Sequence, residues 1–317
     1  MKALKFASSA TALLVICSFG AALAQESAAP PAQPSIMDSI TIGKSSGQLR
    51  ESYKIGAQES GAQKERANVM ANAPSSPASS TPYRTFTFGS GSNGFRYAVS
   101  AHGNVVNIES PIYTGAPYQH LFGDEGYALS VATSIGTITY WDAGNFEASG
   151  CSGTSRSWSP TVVESGVTAN GTTLRRSTCD GAFQLIQTFA MNAVNHELTI
   201  TMTLKNTSGF NYTNTQLSRY FDGDIDRDFD DDVYSRTVDS VYGQDGSLDN
   251  LMLTALSFNT NHTTAVHTAS GWNPAVTSQA SVATPTATGD FVGRVTYNLG
   301  TVNNGAQKIL KVLYKRS

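Results

Sequence analysis

The segment Asp222–Asp232 concentrates seven aspartates in eleven residues. On a strand, alternate aspartates would share one face about 6–7 Å apart, and each neighbouring pair would repel by roughly 0.7 kcal/mol in water. We therefore expect a loop wrapped around a divalent cation. Calcium is the predicted cofactor, because it takes roughly six to eight oxygen ligands and needs neither His nor Cys. The predicted ligands are Asp222, Asp224, Asp226, Asp228, Asp230 and Asp232.

The order of these aspartates is similar to the start of an EF-hand loop but departs from it at two required positions. Arg227 stands at the sixth position, where an EF-hand has glycine, and Val233 stands at the twelfth, where it has a bidentate glutamate. The sequence therefore predicts a calcium loop of another kind. A solvated acidic turn that binds no ion is the alternative interpretation.

The acidity of the chain is confined to this segment. The chain has 21 Lys and Arg residues against 24 Asp and Glu residues, a formal net charge of −3. Without Lys2 and Lys5 of the leader described below, the net charge is −5; Asp222–Asp232 contributes −6, so all other residues sum to about +1. Local acidity of this kind indicates a site rather than a solubility device. The charge also argues against nucleic acid as a partner.

The first 24 residues have the pattern of a secretory leader. Lys2 and Lys5 supply the positive end, Ala10–Ala22 the apolar run, and residues 22–24 a small-residue cleavage site. The apolar run is too short to span a membrane, and no later stretch is long enough. We predict a secreted or periplasmic protein with no membrane span.

Cys151 and Cys179 are the cysteines that remain after such a leader is removed, because Cys17 lies within it. In an oxidising compartment an even pair predicts a disulfide. The bridge would close a loop of 27 intervening residues, and this closure would contribute on the order of 3 kcal/mol. A metal site is disfavoured, because no His lies between the two cysteines.

Residues 25–82 differ in composition from the remainder of the chain. Six prolines interrupt runs of Ala, Ser and Gln that offer little apolar surface to bury. We expect a disordered spacer, in which Gln48–Met70 could alternatively form a marginal helix. The predicted organisation is a signal peptide at 1–24, the spacer at 25–82 and one folded domain at 83–317.

From Tyr83 onward the sequence has the pattern of a series of β-strands. Short runs of β-branched and aromatic residues are separated by Gly, Asn and Asp, which predicts about a dozen strands. In Glu197–Lys205, Leu, Ile and Met alternate with Thr, which predicts one buried and one exposed face. Val233–Tyr242 is predicted as a single strand. The fold class is therefore all-β, a large single antiparallel β-sandwich that follows the disordered segment.

Four passages in this region form a recognisable set. They are Leu174–Gly181 with Phe183–Phe189, Leu198–Gly209, Gln216–Asp226 and Gly289–Gly300. Together they resemble a group of exported bacterial β-sandwich proteins of unassigned activity. More distantly, the layout resembles the supersandwich of galactose-mutarotase-like and glycosidase-associated domains. The resemblance covers most of Tyr83–Ser317 and implies a supersandwich-like fold, but a fold does not imply an activity.

The mutarotase-like resemblance implies a general-base Glu and acid/base His residues in a sugar cleft. None of the five histidines matches the family motif, so no catalytic residue is carried over. Two of them, five residues apart, could form a transition-metal pair, with a polar loop as the alternative. The histidines are His102, His120, His196 and the two of this pair, His262 and His267.

Several catalytic motifs are missing from the sequence. It has no nucleophile elbow, no P-loop and no dinucleotide fingerprint. Asp124 and Glu125, with His120, are the candidate acids for epimerase or lyase chemistry; solvated turn acids are the alternative. Three tryptophans could stack on sugar rings or fill the core. They are Trp141, Trp158 and Trp272.

The sequence thus predicts an exported, disulfide-linked β-sandwich that carries a calcium loop and acts as a binding or structural module. Carbohydrate or a cell-surface glycan is the predicted partner. The alternative function is that of a carbohydrate-active enzyme, an epimerase or a lyase. In the lyase, calcium would neutralise a uronate carboxylate.

Overall fold

Alternating apolar and polar side chains produce seventeen β-strands and one 3-10 turn, Ala193–Asn195, in the part of the chain that is described. This computed structural model describes residues 82–110, 124–144, 151, 157–223, 225, 232–244, 250–268, 273–274, 276–282 and 286–316. All of them belong to one of the chain's two units, Lys54–Ser317. The predicted leader, and the predicted spacer as far as residue 81, lie outside the described residues.

The strand bounds are as follows. They are β1 Arg84–Phe88, β2 Phe95–Val99, β3 Val105–Glu109, β4 Asp124–Thr133, β5 Gly136–Ala143, β6 Trp158–Ser165, β7 Gly171–Thr178, β8 Phe183–Asn192, β9 Glu197–Asn206, β10 Tyr212–Asp222, β11 Val233–Arg236, β12 Ser240–Gln244, β13 Asn250–Ala255, β14 His262–Thr268, β15 Thr286–Thr288, β16 Phe291–Val302 and β17 Gln307–Arg316. No helix among these residues is long and apolar enough to cross a membrane.

The strands pair into three sheets. The first has the order β1-β2-β3, the second β14-β16-β10-β4-β5, and the third β15-β11-β12-β13-β17-β9-β8-β7-β6. Every pairing with a described register is antiparallel, as between β8 and β9. The five-stranded and nine-stranded sheets pack face to face around one apolar core. The prediction of a large antiparallel all-β sandwich is confirmed.

The core follows directly from strand periodicity. On β9 the side chains of Leu198, Ile200, Met202 and Leu204 are fully buried, while the residues between them are partly exposed. Each such side chain, once removed from water, contributes about 1.5–3 kcal/mol. The predicted two-faced character of Glu197–Lys205 is therefore confirmed.

The predicted single strand Val233–Tyr242 is wrong, because the chain forms a hairpin there. The hydroxyl of Thr237 accepts hydrogen bonds from the backbone N–H groups of Asp239 (3.3 Å) and Ser240 (3.0 Å). A threonine hydroxyl that accepts hydrogen bonds from backbone N–H groups two and three residues later favours a turn over a continued strand. β11 and β12 then pair with each other.

The three-stranded sheet sends one turn towards the sandwich core. Between β2 and β3 the chain reverses at Ser100–Asn104, where the Ser100 N–H donates to the Asn104 carbonyl at 2.9 Å. Gly103 has a φ of 84°, a backbone conformation that residues other than glycine rarely adopt. An added Cβ would also lie 2.3 Å from the Gln187 amide nitrogen. Glycine is therefore required at this position.

The predicted disulfide between Cys151 and Cys179 is formed, with 5.4 Å between the two Cα atoms. Cys179 follows the end of β7, and its N–H donates to the Ser157 carbonyl at 2.8 Å. The bridge therefore links the end of β7 to the connection that leads from β5 to β6.

Candidate functional site

The base of the acidic loop is closed by side chains of its own ends. The Gly223 N–H donates to the Tyr234 hydroxyl at 2.8 Å, and that hydroxyl donates back to the Gly223 carbonyl. The Ile225 N–H donates to a carboxylate oxygen of Asp232 at 3.2 Å. Ile225 is fully buried, so it fixes the chain to the core just inside the loop. The segment therefore leaves β10 and enters β11 at nearly the same point.

The predicted calcium ligands divide into two groups. Asp222 ends β10, and Asp232 precedes β11 with its side chain buried. The other four lie outside the described residues: Asp224, Asp226, Asp228 and Asp230. Where residues are described, no group of three or more His, Cys, Asp or Glu side chains could hold a metal ion. Calcium binding therefore stays a prediction.

A charged pair lies between the two sheets. Glu125 on β4 and Arg219 on β10 are both fully buried. The Arg219 Nε donates to Glu125 Oε1, and one terminal nitrogen donates to Glu125 Oε2 at 2.8 Å. The remaining donors of Arg219 reach the side-chain oxygen of Gln187 at 2.6 Å and the carbonyl of Gly103 at 3.0 Å. The guanidinium thus has acceptors from three other elements.

The carboxylate of this pair is equally well satisfied. The Val105 N–H donates to Glu125 Oε2 at 2.6 Å, and the Tyr314 hydroxyl donates to Glu125 Oε1 at 2.9 Å. Burial raises the pKa of Glu125, and the Arg219 guanidinium opposes that rise. Burial and the adjacent Glu125 carboxylate raise the pKa of Tyr314 well above its ordinary value. Tyr314 therefore remains a neutral hydrogen-bond donor.

A second buried pair of opposite charges, Asp142 and Arg176, contacts Asn104, the last residue of the Ser100–Asn104 turn. Asp142 on β5 lies 3.0 Å from a terminal nitrogen of Arg176 on β7, and both side chains are buried. The Asn104 amide donates to the other Asp142 oxygen at 2.8 Å. Arg176 also donates to the Tyr127 hydroxyl at 2.5 Å, and this hydroxyl donates to the His102 carbonyl at 2.9 Å. Burial alone would raise the pKa of Asp142, but Arg176 and its hydrogen-bonding neighbours hold it below its ordinary value.

These two pairs change the interpretation of the predicted catalytic acids. Glu125 is committed to Arg219 inside the core and has no surface from which to meet a sugar. Removing one partner of a buried pair of this kind is strongly destabilising, because the other charge is left buried alone. The strand position of Asp124 is described, whereas its partner His120 lies outside the described residues. The proposed Asp124, Glu125 and His120 group therefore loses Glu125 as a candidate catalytic acid.

The outward side of the five-stranded sheet carries polar side chains beneath residues 276–282. Terminal nitrogens of Arg294 on β16 donate to the carbonyls of Val276 at 2.7 Å and Gln279 at 2.5 Å. The Thr277 hydroxyl donates to Gln216 on β10 at 2.6 Å. Burial lowers the pKa of Arg294 to about 9, which still leaves a cation at neutral pH. The chain itself therefore occupies these donors and acceptors.

His267 lies on this outward side of the five-stranded sheet, beneath residues 276–282. The pH dependence of protein stability tests whether its ring is buried. Burial, followed by the charge of Arg294, lowers the pKa of His267 from 6.5 to about 3. Between these values the unfolded chain binds a proton that the folded protein does not. The stability contributed by neutral His267 is therefore complete above pH 6.5 and is lost as the pH falls towards 3. We expect the wild type to lose about 2 kcal/mol through this residue between pH 7.5 and pH 5.

Urea unfolding at the two pH values measures this loss. The His267→Gln variant should show a pH dependence smaller by that amount, because glutamine has no proton to gain. An NMR titration of the His267 ring with a midpoint near the ordinary histidine value, or an unchanged pH dependence in the variant, would contradict the expectation.

Neither interpretation of His262 and His267 holds: the metal pair does not form, and the polar loop is wrong because both residues belong to strand β14. His262 and His267 are an odd number of residues apart on β14, so they lie on opposite faces of the sheet. The His262 Nε2 lies 2.8 Å from an Asp239 oxygen, and its Nδ1 lies 2.9 Å from the Thr260 carbonyl. A metal shared by the two rings is excluded by this geometry.

Two of the three tryptophans are buried and cannot serve as open sugar platforms. Trp158 is fully buried in the main core against Tyr127 and Tyr140. Trp141 belongs to a small apolar cluster with Tyr220 on the covered side of the five-stranded sheet. Trp272 lies outside the described residues. The core-packing alternative is thus confirmed for Trp141 and Trp158.

Comparison with known proteins yields similarity of fold. No protein-family model matches the chain, and no curated protein matches it. A bacterial glucoamylase in complex with acarbose has a TM-score of 0.49 and 9% identity over 78% of this chain and 34% of its own. An Escherichia coli K12 protein of aldose 1-epimerase type has a TM-score of 0.45 and 9% identity over 74% of this chain and 99% of its own.

A galactose mutarotase related enzyme from Lactobacillus acidophilus has a TM-score of 0.36 and 10% identity over 74% of this chain and 97% of its own. The chain therefore spans about a third of the glucoamylase and nearly all of the other two proteins. The distant likeness to galactose-mutarotase-like proteins expected from the sequence is confirmed at this low identity.

Proposed function

We propose that this chain is an exported carbohydrate-binding module whose Asp222–Asp232 loop holds a calcium ion. The supporting observation is the closed base of the loop. Tyr234 and Asp232 hold Gly223 and Ile225 by hydrogen bonds, so the two ends of the acidic segment meet. Seven aspartates thus fall within eleven residues of sequence whose described ends are held together.

A bound cation would offset the electrostatic repulsion between these carboxylates. Each pair of carboxylates about 5 Å apart repels by roughly 3 kcal/mol near a protein surface, where the effective dielectric constant is about 20. Arg227 supplies the one positive side chain within the segment. Calcium accepts irregular sets of oxygen ligands, including backbone carbonyls and water, and therefore suits a loop that is not an EF-hand.

The complete burial of Glu125 favours a binding role over catalysis. A glycosidase or lyase acid must reach the substrate, whereas Glu125 is enclosed with Arg219 in the core. The leader sequence and the disulfide both fit an extracytoplasmic location, where glycans are available partners. The outward side of the nine-stranded sheet adds an open, hydroxyl-bearing surface.

Calcium should raise the thermal and urea stability of the protein. At a free concentration about one hundred times the dissociation constant, binding to the folded state alone contributes about 2.7 kcal/mol. Urea unfolding in excess EDTA and in millimolar calcium, with calorimetric titration of the folded protein, measures this contribution. An unchanged unfolding curve in the two buffers would contradict the calcium proposal.

A loop variant separates a bound ion from simple charge repulsion. In the variant Asp226→Asn, Asp228→Asn, Asp230→Asn, less repulsion remains, so it should be more stable than the wild type in EDTA. In excess calcium the order should reverse, because the variant lacks ligands. A variant that is more stable in both buffers would indicate a solvated acidic turn. The matched control Glu197→Gln removes one negative charge far along the chain and should leave the calcium response intact.

The carbohydrate part of the proposal needs a separate experiment. We expect retention of labelled glycans on the immobilised protein without release of new reducing ends, unsaturated products or altered anomers. Product formation would favour the enzyme alternative. Loss of all glycan retention, with calcium binding intact, would leave a calcium-loaded structural protein.

A further inference from the structure

The outward side of β7, β8, β9 and β17 forms an open surface, which we name the basic face. Its positions alternate with the core-facing positions on each strand and, apart from Gly171, they are partly or fully exposed. On β17, at one side of this face, Ile309 is 61% exposed. These strands are consecutive neighbours in the nine-stranded sheet, so the basic face is continuous.

Charge on this face is one-sided. Its cations are Arg175, Lys205, Lys311 and Lys315, and Glu197 is the one acidic residue among the outward positions of these four strands. Glu197 is already paired with Lys315, with 3.4 Å between the charged atoms. The chain as a whole is acidic, so three cations without a described acidic neighbour on one face form a local positive field.

The sheet registers fix the spacing of these three cations. Lys205 pairs with Gln184, which pairs with Ser177, two residues from Arg175. From ordinary strand dimensions, the Lys205 and Arg175 backbones lie about 12 Å apart. Lys311 pairs with Thr201, four residues from Lys205, which places these two backbones about 14 Å apart. Such separations suit repeated anionic groups along an extended polymer.

Between the cations the face offers hydroxyls. Thr173, Thr188 and Thr201 occupy one cross-strand row that ends at Lys311. The hydroxyls of Thr173 and Thr188 lie 3.0 Å apart. Hydroxyl side chains can exchange hydrogen bonds with sugar hydroxyls. No aromatic residue occupies an outward position on these four strands, so the base-stacking platform typical of single-stranded nucleic-acid binding is missing.

We infer that the basic face binds an anionic polysaccharide, with Arg175, Lys205 and Lys311 contacting its carboxylate or sulfate groups and the threonine row contacting its hydroxyls. This inference rests on the proposed carbohydrate-binding function and assigns its location and ligand class. The positive charge pairs with an acidic polymer, and the threonine row with sugars.

The test uses chondroitin sulfate, whose chain carries carboxylate and sulfate groups, with neutral dextran and duplex DNA as comparisons. Biolayer interferometry on the calcium-saturated full chain should show binding to chondroitin sulfate that weakens as salt increases. The variant Arg175→Gln, Lys205→Gln, Lys311→Gln should bind about tenfold more weakly. All three positions are outward, so the variant should retain the wild-type unfolding curve, which is measured in parallel.

The matched control is Lys315→Gln. It lies on the same strand as Lys311, but its charge is balanced by Glu197, so it should change affinity less than twofold. An equal loss from Lys311→Gln and Lys315→Gln singly would overturn the assignment of the contacts. An unchanged affinity in the triple variant, with glycan binding present, would overturn the location while leaving the proposed function standing.

Other outcomes identify other partners. Binding to dextran as strong as binding to chondroitin sulfate would overturn the anionic class alone. Binding to no glycan would overturn both the inference and the carbohydrate function. Tighter binding to DNA would overturn the sugar assignment. A triple variant that becomes monomeric from a wild-type dimer, measured by light scattering, would show that the basic face joins two copies of the chain and would overturn the inference.

Discussion

Replacing Arg219 with methionine should lower the free energy of unfolding by about 3–5 kcal/mol, because it leaves a carboxylate in the core without its counter-ion. Glu125 is fully buried and receives two of its hydrogen bonds from Arg219. Methionine itself is tolerable there, since the guanidinium lies within about 6 Å of the Tyr127 and Phe189 rings. Urea unfolding at pH 7.5 measures the loss.

The pH dependence separates this cause from a simple packing defect. In the variant, the pKa of Glu125, already raised by burial in the wild type, rises further because Arg219 no longer opposes that rise, so the carboxylate takes up a proton more readily. The stability lost relative to the wild type should therefore be smallest at low pH and grow as the pH rises through that raised pKa. The double variant Arg219→Met, Glu125→Gln should recover about 2 kcal/mol, because no charge is then buried alone. A loss below 1 kcal/mol, or no recovery, would contradict the expectation.

Removing the disulfide should cost about 3 kcal/mol, because the unfolded chain then regains the freedom of a loop of 27 residues. The variant Cys151→Ala, Cys179→Ala should melt about 6–12 °C below the wild type. Differential scanning calorimetry in an oxidising buffer measures the shift.

Dithiothreitol provides the control for this prediction. It should lower the melting temperature of the wild type to that of the variant and leave the variant unchanged. A variant that melts within 1–2 °C of the wild type would indicate that the connection between β5 and β6 is held by other contacts. Such a result would also remove one argument for an oxidising location.

The strands were predictable where one face is apolar and the other polar. β9 was predicted to within one residue, because Leu, Ile and Met recur at every second position. β6 escaped prediction because Pro160 interrupts it, and proline is accepted there since β6 lies at the edge of its sheet. β14, another edge strand, is too rich in Thr and His to show a strand pattern.

The inward orientation of the buried charged residues can be read from the alternation of apolar residues along their strands. Arg219 falls in phase with Leu217 and Phe221, and Glu125 falls in phase with Tyr127, so both were bound to point inward. The pairing of Arg219 with Glu125 could not be predicted, because the two residues lie 94 positions apart and the local sequence does not determine the order of strands in a sheet. The acidic loop was predictable as a cluster of charge, whereas the bond from Ile225 to Asp232 that closes it depends on tertiary packing.

The Ser100–Asn104 turn has a consequence for the order of assembly. Through Gly103 it contacts Arg219, 116 residues later, and Glu125 contacts Tyr314, 189 residues later. Chains dominated by such distant contacts fold slowly, since long loops must close before any of these bonds forms. The last of these hydrogen bonds to Glu125 therefore waits for β17, the final strand. A polypeptide truncated before Tyr314 would leave Glu125 Oε1 with Arg219 as its remaining described donor and should be less stable than the full chain.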